Sequence, residues 1–214
     1  MFDGSASGIA PTADLVIAGT VAEGQLGAGL AGAGDVNADG YADLVAGVPA
    51  ADGAIGRILV FHGSAAGLDA TPDADIPGNS AGGGFFGQAV AGVGDLDGDG
   101  IDDVAVGAFG VDGRTGRVSI FLGGMTGLRT PPAIRVDGPF GGNGDFGWTV
   151  AGAGDVDGSG AADLAVGSPG VDDGDGRVYV YRGSALTGIT PEPLRALVGP
   201  SGGSFGRALA RPER

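Results

Sequence analysis

The 214-residue chain sets 26 acidic side chains against 11 basic ones, all arginine, for a formal charge of −15, with 43% hydrophobic residues. That field repels nucleic acid and anionic membrane, so neither is expected as a partner. No cysteine is present, which excludes disulfides and thiolate metal sites, and no apolar run approaches the roughly 18 residues of a membrane-spanning helix.

Forty-nine glycines would indicate low complexity if they were scattered. Instead they recur at fixed places between short Val, Ala, Leu and Phe runs, so they read as turn and close-packing residues. A fixed period of this kind implies a propeller, solenoid or array. Residues 1–20 show neither a basic n-region nor a compact apolar stretch, so no signal peptide is expected in this chain.

In chain order, residues 1–25 read as a partial unit. Phe2 to Ile9 repeats the pattern of Phe61 to Leu68, the tail of a third strand, and Ala13 to Ala18 occupies a fourth-strand slot. Residues 26–85 form the first full unit: Leu26-Gly27 opens it, Gly47-Val48-Pro49 closes its second strand, and Arg57 to Phe61 forms its third.

The second unit, 86–145, shows the pattern most clearly. Phe86 to Gly94 is a strand of small residues, suited to a crowded place. Val104 to Gly107 is apolar at consecutive positions and predicts a strand covered on both faces. Gly110 to Gly116 is a turn. Arg117 to Leu122 is a third strand, and Ala133 to Val136 a fourth, outermost one. Residues 146–204 repeat this from Phe146-Gly147 through Gly167-Ser168-Pro169 to Arg177–Tyr181. Phe205-Gly206 begins the first strand of a further unit within 205–214. Helical periodicity is absent, and the pattern predicts an all-β architecture of stacked four-stranded blades, a β-propeller.

Between the first and second strands of each unit lies an acidic nine-residue loop, beginning at residues 35, 95 and 155, sixty apart. The middle one, Asp95 to Asp103, has carboxylates at its first, third, fifth and ninth places and Gly100 at the sixth. Two carboxylates ~4 Å apart repel by roughly 4 kcal/mol at an effective dielectric near 20, whereas an all-oxygen cage is what a hard cation such as calcium prefers. An EF-hand shares the first, third, fifth and sixth places but needs Glu at the twelfth and flanking helices; here the twelfth places are Ala46, Val106 and Val166, within predicted strands. Calcium rolls of the RTX type repeat every nine residues, which this chain does not. Polar turns explain one such loop, but not three in register.

Catalytic candidates are few. His62, the single histidine, sits at a third-strand end where its counterparts are Leu122 and Arg182, and reads as a strand-end residue. No Cys nucleophile or second His is present to build a triad. Trp148, Tyr179 and Tyr181 can be read as a sugar-stacking platform, but aromatic residues on strands are more often core. Asp112-Gly-Arg114 and Asp175-Gly-Arg177 read as turns.

The Phe-Gly opening, the Asp-x-Asp-x-Asp-Gly-x-x-Asp loop and the Gly-Ala-Pro-like closing triplet resemble the FG-GAP repeats of the integrin alpha-subunit β-propeller and its bacterial relatives. The resemblance covers residues 26–183 with all its marks. It implies three full blades plus partial terminal blades of a seven-bladed ring, completed by missing blades or by a second chain. It also implies about three structural calcium ions, held by the side chains at the first, third, fifth and ninth loop places and the backbone carbonyl at the seventh. Carried onto this chain, those ligands are Asp35, Asn37, Asp39, Asp43 and the carbonyl of Tyr41; Asp95, Asp97, Asp99, Asp103 and the carbonyl of Ile101; and Asp155, Asp157, Ser159, Asp163 and the carbonyl of Ala161. Ser159 departs from the pattern, Gly107-Ala-Phe109 lacks the proline, and Leu26 replaces the opening Phe. The implied function is non-enzymatic: an extracellular or cell-surface module that recognises a protein or carbohydrate ligand through its loop rim. The alternative is the non-catalytic propeller part of a secreted hydrolase or lyase.

Overall fold

The computed structural model describes residues 13, 15–79, 83–184, 188–190 and 192–210, together with two short strands near the N-terminus. Three antiparallel four-stranded sheets follow one another along the chain. Within each sheet the acidic loop connects the first strand to the second.

Two short strands, Gly4–Ser5 (β1) and Gly8–Ile9 (β2), pair antiparallel ahead of them. The first sheet is Leu30–Gly34 (β3), Asp43–Gly47 (β4), Arg57–Phe61 (β5) and Ala74–Pro77 (β6). The second is Ala89–Gly94 (β7), Asp103–Ala108 (β8), Arg117–Phe121 (β9) and Ile134–Asp137 (β10). The third contains Thr149–Gly154 (β11), Asp163–Ser168 (β12) and Arg177–Tyr181 (β13). A hairpin of Gly183–Ser184 (β14) and Gly188–Ile189 (β15) follows, and Arg195–Val198 (β16) completes the sheet as its outer strand. These are the four strands per blade that the sequence predicts, and β8 is buried at every position, as its unbroken apolar run requires.

The first strands β3, β7 and β11 lie side by side, which explains their composition. A Cβ on Gly92 would fall 2.4 Å from the Gly32 carbonyl oxygen, so only glycine lets the inner strands approach. The two recurring family marks meet in the same way. A Cβ on Gly47 would lie 1.8 Å from the Gly87 carbonyl oxygen, one on Gly107 2.0 Å from that of Gly147, and one on Gly167 2.0 Å from that of Gly206. The glycine closing each second strand thus receives the Phe-Gly opening of the next blade. The preceding phenylalanines, Phe86, Phe146 and Phe205, bridge in parallel to Gly56, Gly116 and Gly176.

The core lies between sheets. Ile58, Val60, Val45 and Ile76 of the first blade pack against Phe86, Val90, Val104, Val106 and Phe121 of the second. Val118 and Ile120 of the second meet Phe146, Leu164, Tyr179 and Tyr181 of the third. Tyr179 and Tyr181 stack edge-on to Phe146, so they are core residues and form no platform with Trp148, which packs instead on Phe109 with centroids 4.6 Å apart.

Three differences from the sequence reading are local. The turns after the second strands are four-residue helical turns, Ala51–Ala54 (α1), Val111–Arg114 (α2) and Val171–Gly174 (α3), broken by left-handed residues such as Asp112 at φ +50° and Gly113 at +66°. Residues 15–18, most of the fourth-strand slot expected at 13–18, carry no strand; Leu15 and Ile17 line a groove of about 450 Å³ with Leu26, Leu30 and Leu44 of the first blade. Residues 207–210 also carry no strand. Residues 1–3, 6–7, 10–12, 14 and 211–214, which the reading placed in partial blades, lie outside the described residues.

Candidate metal centres

Each acidic loop begins at a β-bulge. The registers of β3–β4, β7–β8 and β11–β12 shift between Gly32 and Gly34, Gly92 and Gly94, and Gly152 and Gly154. Gly34 and Gly94 take φ +79° and +80°, a left-handed conformation that turns the chain out of the ladder at the first aspartate.

From there the loops fold on themselves through the same bonds. Asp35 accepts from the backbone N–H groups of Asp39 (3.1 Å) and Gly40 (2.8 Å). Asp95 accepts from those of Asp99 (3.1 Å) and Gly100 (2.8 Å), and Asp155 from those of Ser159 (2.9 Å) and Gly160 (2.8 Å). The third-place side chain accepts from the fifth-place N–H at 3.1 Å from Asn37, 3.3 Å from Asp97 and 2.9 Å from Asp157. The first, third and fifth side chains are thereby gathered over one side of the loop. In the first loop the Asn37 amide also donates to Asp39 at 2.9 Å.

Ligand atoms of Asp95, Asp97 and Asp99 lie within 4.8 Å of one another, as do those of Asp155, Asp157 and Asp163. Oxygens that share a calcium ion at 2.3–2.6 Å are at most about 5 Å apart, so both groups fit one ion. The first loop, with Asn37 in place of a carboxylate, brings together Asp35, Asn37 and Asp39 by the bonds above. Desolvation raises the Asp97 carboxyl above its ordinary value, with Asp99 and Asp95 adding to the shift. The Tyr41 N–H, bonded to Asp39 at 2.9 Å, is the main cause that lowers the Asp39 carboxyl.

The ninth-place aspartates make a structural tie that the sequence reading missed. Asp43, Asp103 and Asp163 are all buried. One oxygen of each accepts from the second loop residue, Val36, Leu96 or Val156, at 2.8 Å in every case. The other accepts from the residue just past the third strand, Gly63, Gly123 or Gly183, at 2.8, 2.9 and 2.8 Å. Each therefore ties its loop to the end of the third strand, metal or no metal. Burial is the largest influence on Asp103 and pushes it up to about 7; burial likewise raises Asp43. The twenty-residue interval between each of these aspartates and a Gly is the sequence signal for the tie.

Among the described residues, two arginines reach the loops. Arg129 donates to Asp99 at 3.0 Å, and Arg182 donates to Asp157, where the Ser159 hydroxyl is the foremost cause lowering the carboxyl. His62 lies at the corresponding edge of the first loop, its backbone N–H bonded to Asp73 at 2.7 Å.

The antiparallel order of the strands puts α1, α2 and α3 at the opposite end of each blade from the acidic loops. There the first residue of each third strand clamps its turn: Arg57 to Asp52 and Asp75, Arg117 to Asp112 and Asp137, and Arg177 to Asp172. An aromatic patch also spans successive blades at this end. Phe85, Phe109 and Trp148 pack in sequence, Arg114 forms two 2.7 Å bonds to buried Asp145, and Arg207 lies over Trp148.

The sequence pattern of the FG-GAP repeat matches residues 26–61, 86–121 and 146–181, the stretch from the opening pair through the acidic loop to the end of the third strand in each blade. The chain belongs to the FG-GAP repeat family. Its similarity extends to integrin alpha subunits: 38% identity over 163 residues with integrin alpha-IIb of Homo sapiens, covering 69% of this chain and 15% of that protein. Integrin alpha-5 of Xenopus laevis is 37% identical over 165 residues, 71% of this chain and 15% of the relative, and integrin alpha-V of Gallus gallus 36% over 155 residues, 64% and 14%. The chain thus spans about a seventh of the relatives it matches. Within the FG-GAP pattern, Phe-Gly and the closing glycine join neighbouring blades, and the ninth aspartate joins the loop to its own blade.

Proposed function

We propose that this chain is a calcium-stapled β-propeller module, with blades over 26–85, 86–145 and 146–204, that recognises a protein or carbohydrate ligand outside the cell. The observation that carries the metal part is the repeated loop geometry, in which first-place aspartates hold the fifth- and sixth-place amides and gather oxygen donors over one face. The ligands are Asp35, Asn37, Asp39, Asp43 and the Tyr41 carbonyl; Asp95, Asp97, Asp99, Asp103 and the Ile101 carbonyl; and Asp155, Asp157, Ser159, Asp163 and the Ala161 carbonyl. A bound ion neutralises the crowded carboxylates and fixes the hairpin between first and second strands.

Ligand recognition belongs to the opposite end, where turns and blade connections of differing sequence surround the Phe85–Phe109–Trp148 patch. The integrin relatives support binding at the cell surface as the role. The open face of the first blade supports ring completion by further blades or by a second chain. Leu30 is 61% exposed there, whereas its counterparts Val90 and Val150, each covered by a preceding blade, are 8% and 7% exposed. Calorimetric titration of chelator-treated protein with calcium tests the metal part: about three ions bound per chain is the expected result, and absence of binding heat at millimolar calcium sinks it.

A further inference from the structure

The acidic loops of neighbouring blades touch, and they do so differently at the two junctions. The eighth loop residue of one blade donates its N–H to the first-place carbonyl of the loop before it: Asp102 to Asp35 at 3.1 Å, and Ala162 to Asp95 at 3.5 Å. The third residue past each third strand reaches the second-place carbonyl of the same neighbour, Gly124 to Val36 at 3.0 Å and Ser184 to Leu96 at 3.2 Å.

Only the first junction adds a side chain. Asp102 Oδ2 accepts the backbone N–H of Asp35 at 2.9 Å, so residue 102 grips residue 35 by donor and acceptor together. Gly34 makes room, since a Cβ there would fall 2.0 Å from Asp102 Oδ2. At the second junction Ala162 stands in place of Asp102. Gly94 has the same left-handed φ as Gly34, and a Cβ on it would lie 3.4 Å from the Ala162 Cβ.

We infer that Asp102 is a positioning residue that couples the first two metal loops, so that an ion in the second loop strengthens binding in the first. This rests on the calcium reading of the loops. Asp102 lies between the Ile101 carbonyl and Asp103, both ligands of the second site, and an ion there fixes the backbone that aims the Asp102 carboxylate. The carboxylate in turn holds Asp35, the first ligand of the neighbouring site. Ordering that residue once serves both ions, which is the thermodynamic content of positive coupling. The third loop, lacking the side-chain bond, stands apart.

The test follows the amide NMR signals of Gly40, Gly100 and Gly160, one per loop, as calcium is added to the chelator-treated chain. In the unaltered protein the first and second loops are expected to fill together. Asp102→Ala should shift the midpoint of the Gly40 signal to higher calcium by about fivefold or more and leave Gly160 unmoved. Asp102→Asn, which keeps an oxygen acceptor for the Asp35 N–H but removes the charge, should leave the Gly40 midpoint close to that of the unaltered protein. Ala162→Asp should draw the Gly160 midpoint toward that of Gly100. A readout independent of metal is hydrogen exchange at the Asp35 amide of the calcium-free protein, expected to quicken in Asp102→Ala and not in Asp102→Asn. If all three signals respond to calcium but their midpoints are the same in Asp102→Ala, the coupling is wrong and the metal reading stands. If none responds, the metal reading itself fails.

Discussion

At the scale of single residues, the acidic loops contain two kinds of aspartate that the sequence writes identically. Asp103 is buried with both oxygens engaged by backbone N–H groups, whereas Asp99 is exposed at the mouth of the loop. Removing the Asp103 carboxylate leaves two buried donors without partners, each worth about 1–3 kcal/mol. Asp103→Ala is therefore expected to lower stability by roughly 2–5 kcal/mol in urea unfolding even with chelator present. Asp99→Ala should leave chelated stability little changed and weaken calcium binding. Equal losses from both in chelator would contradict this division. The pH dependence follows from the same burial. With Asp103 pushed up to about 7 against an unfolded value near 3.9, the metal-free folded chain holds a proton that the unfolded chain has released. Stability contributed by this group is thus present below about pH 4, persists in part up to 7, and is lost as pH rises through 7. Without calcium the urea midpoint should be higher at pH 5.5 than at pH 8, and Asp103→Asn should flatten that difference. With calcium, which requires the carboxylate, the order should reverse.

At the scale of elements, what a repeat position does depends on its neighbour, and this limits how much of the fold was legible. Strand number, the loops between first and second strands, and the turns at 111–114 were readable because each depends on local pattern: consecutive apolar residues, spaced aspartates, glycine with aspartate. The Phe-Gly and closing-glycine marks were recognisable, but their purpose was not, because Gly47 and Gly87 meet across forty residues of chain. The Arg114–Asp145 pair, thirty-one residues apart, was missed for the same reason; Arg57, Arg117 and Arg177, which clamp turns only five residues away, were also missed although they recur at sixty-residue spacing. Residues 15–18, within the slot read as a fourth strand at 13–18, form no strand, so an apolar run alone does not make one. The context dependence is testable at one motif position. Gly92 is pressed against the Gly32 carbonyl, whereas a Cβ on Gly32 would meet nothing within 4 Å. Gly92→Ala should cost about 1–3 kcal/mol through overpacking, and Gly32→Ala should be neutral or slightly stabilising, as measured by denaturant midpoints. Similar losses at both sites would mean that the glycines serve the strand itself and not the junction between blades.

At the scale of the molecule, the blades are held in two ways. Apolar side chains from adjacent sheets interlock, and this part is insensitive to metal. The acidic loops carry much of a formal charge of −15, whose mutual repulsion works against folding, and in the proposed function a bound cation relieves it. The all-oxygen donors of the sequence are what the calcium proposal rests on; the structure adds that the loops are linked through Asp102 and through the backbone bonds between neighbours. A ligand that binds only the folded form stabilises it by about 2.7 kcal/mol at a hundredfold excess over its dissociation constant, and a chain of this size gains about 2–4 °C in Tm per kcal/mol. The most direct test of the account is the thermal unfolding of this chain in calcium and in chelator, at one pH and ionic strength. Occupied loops predict a Tm higher by about 10 °C or more in millimolar calcium; superimposable melting curves would contradict the claim that calcium staples the blades.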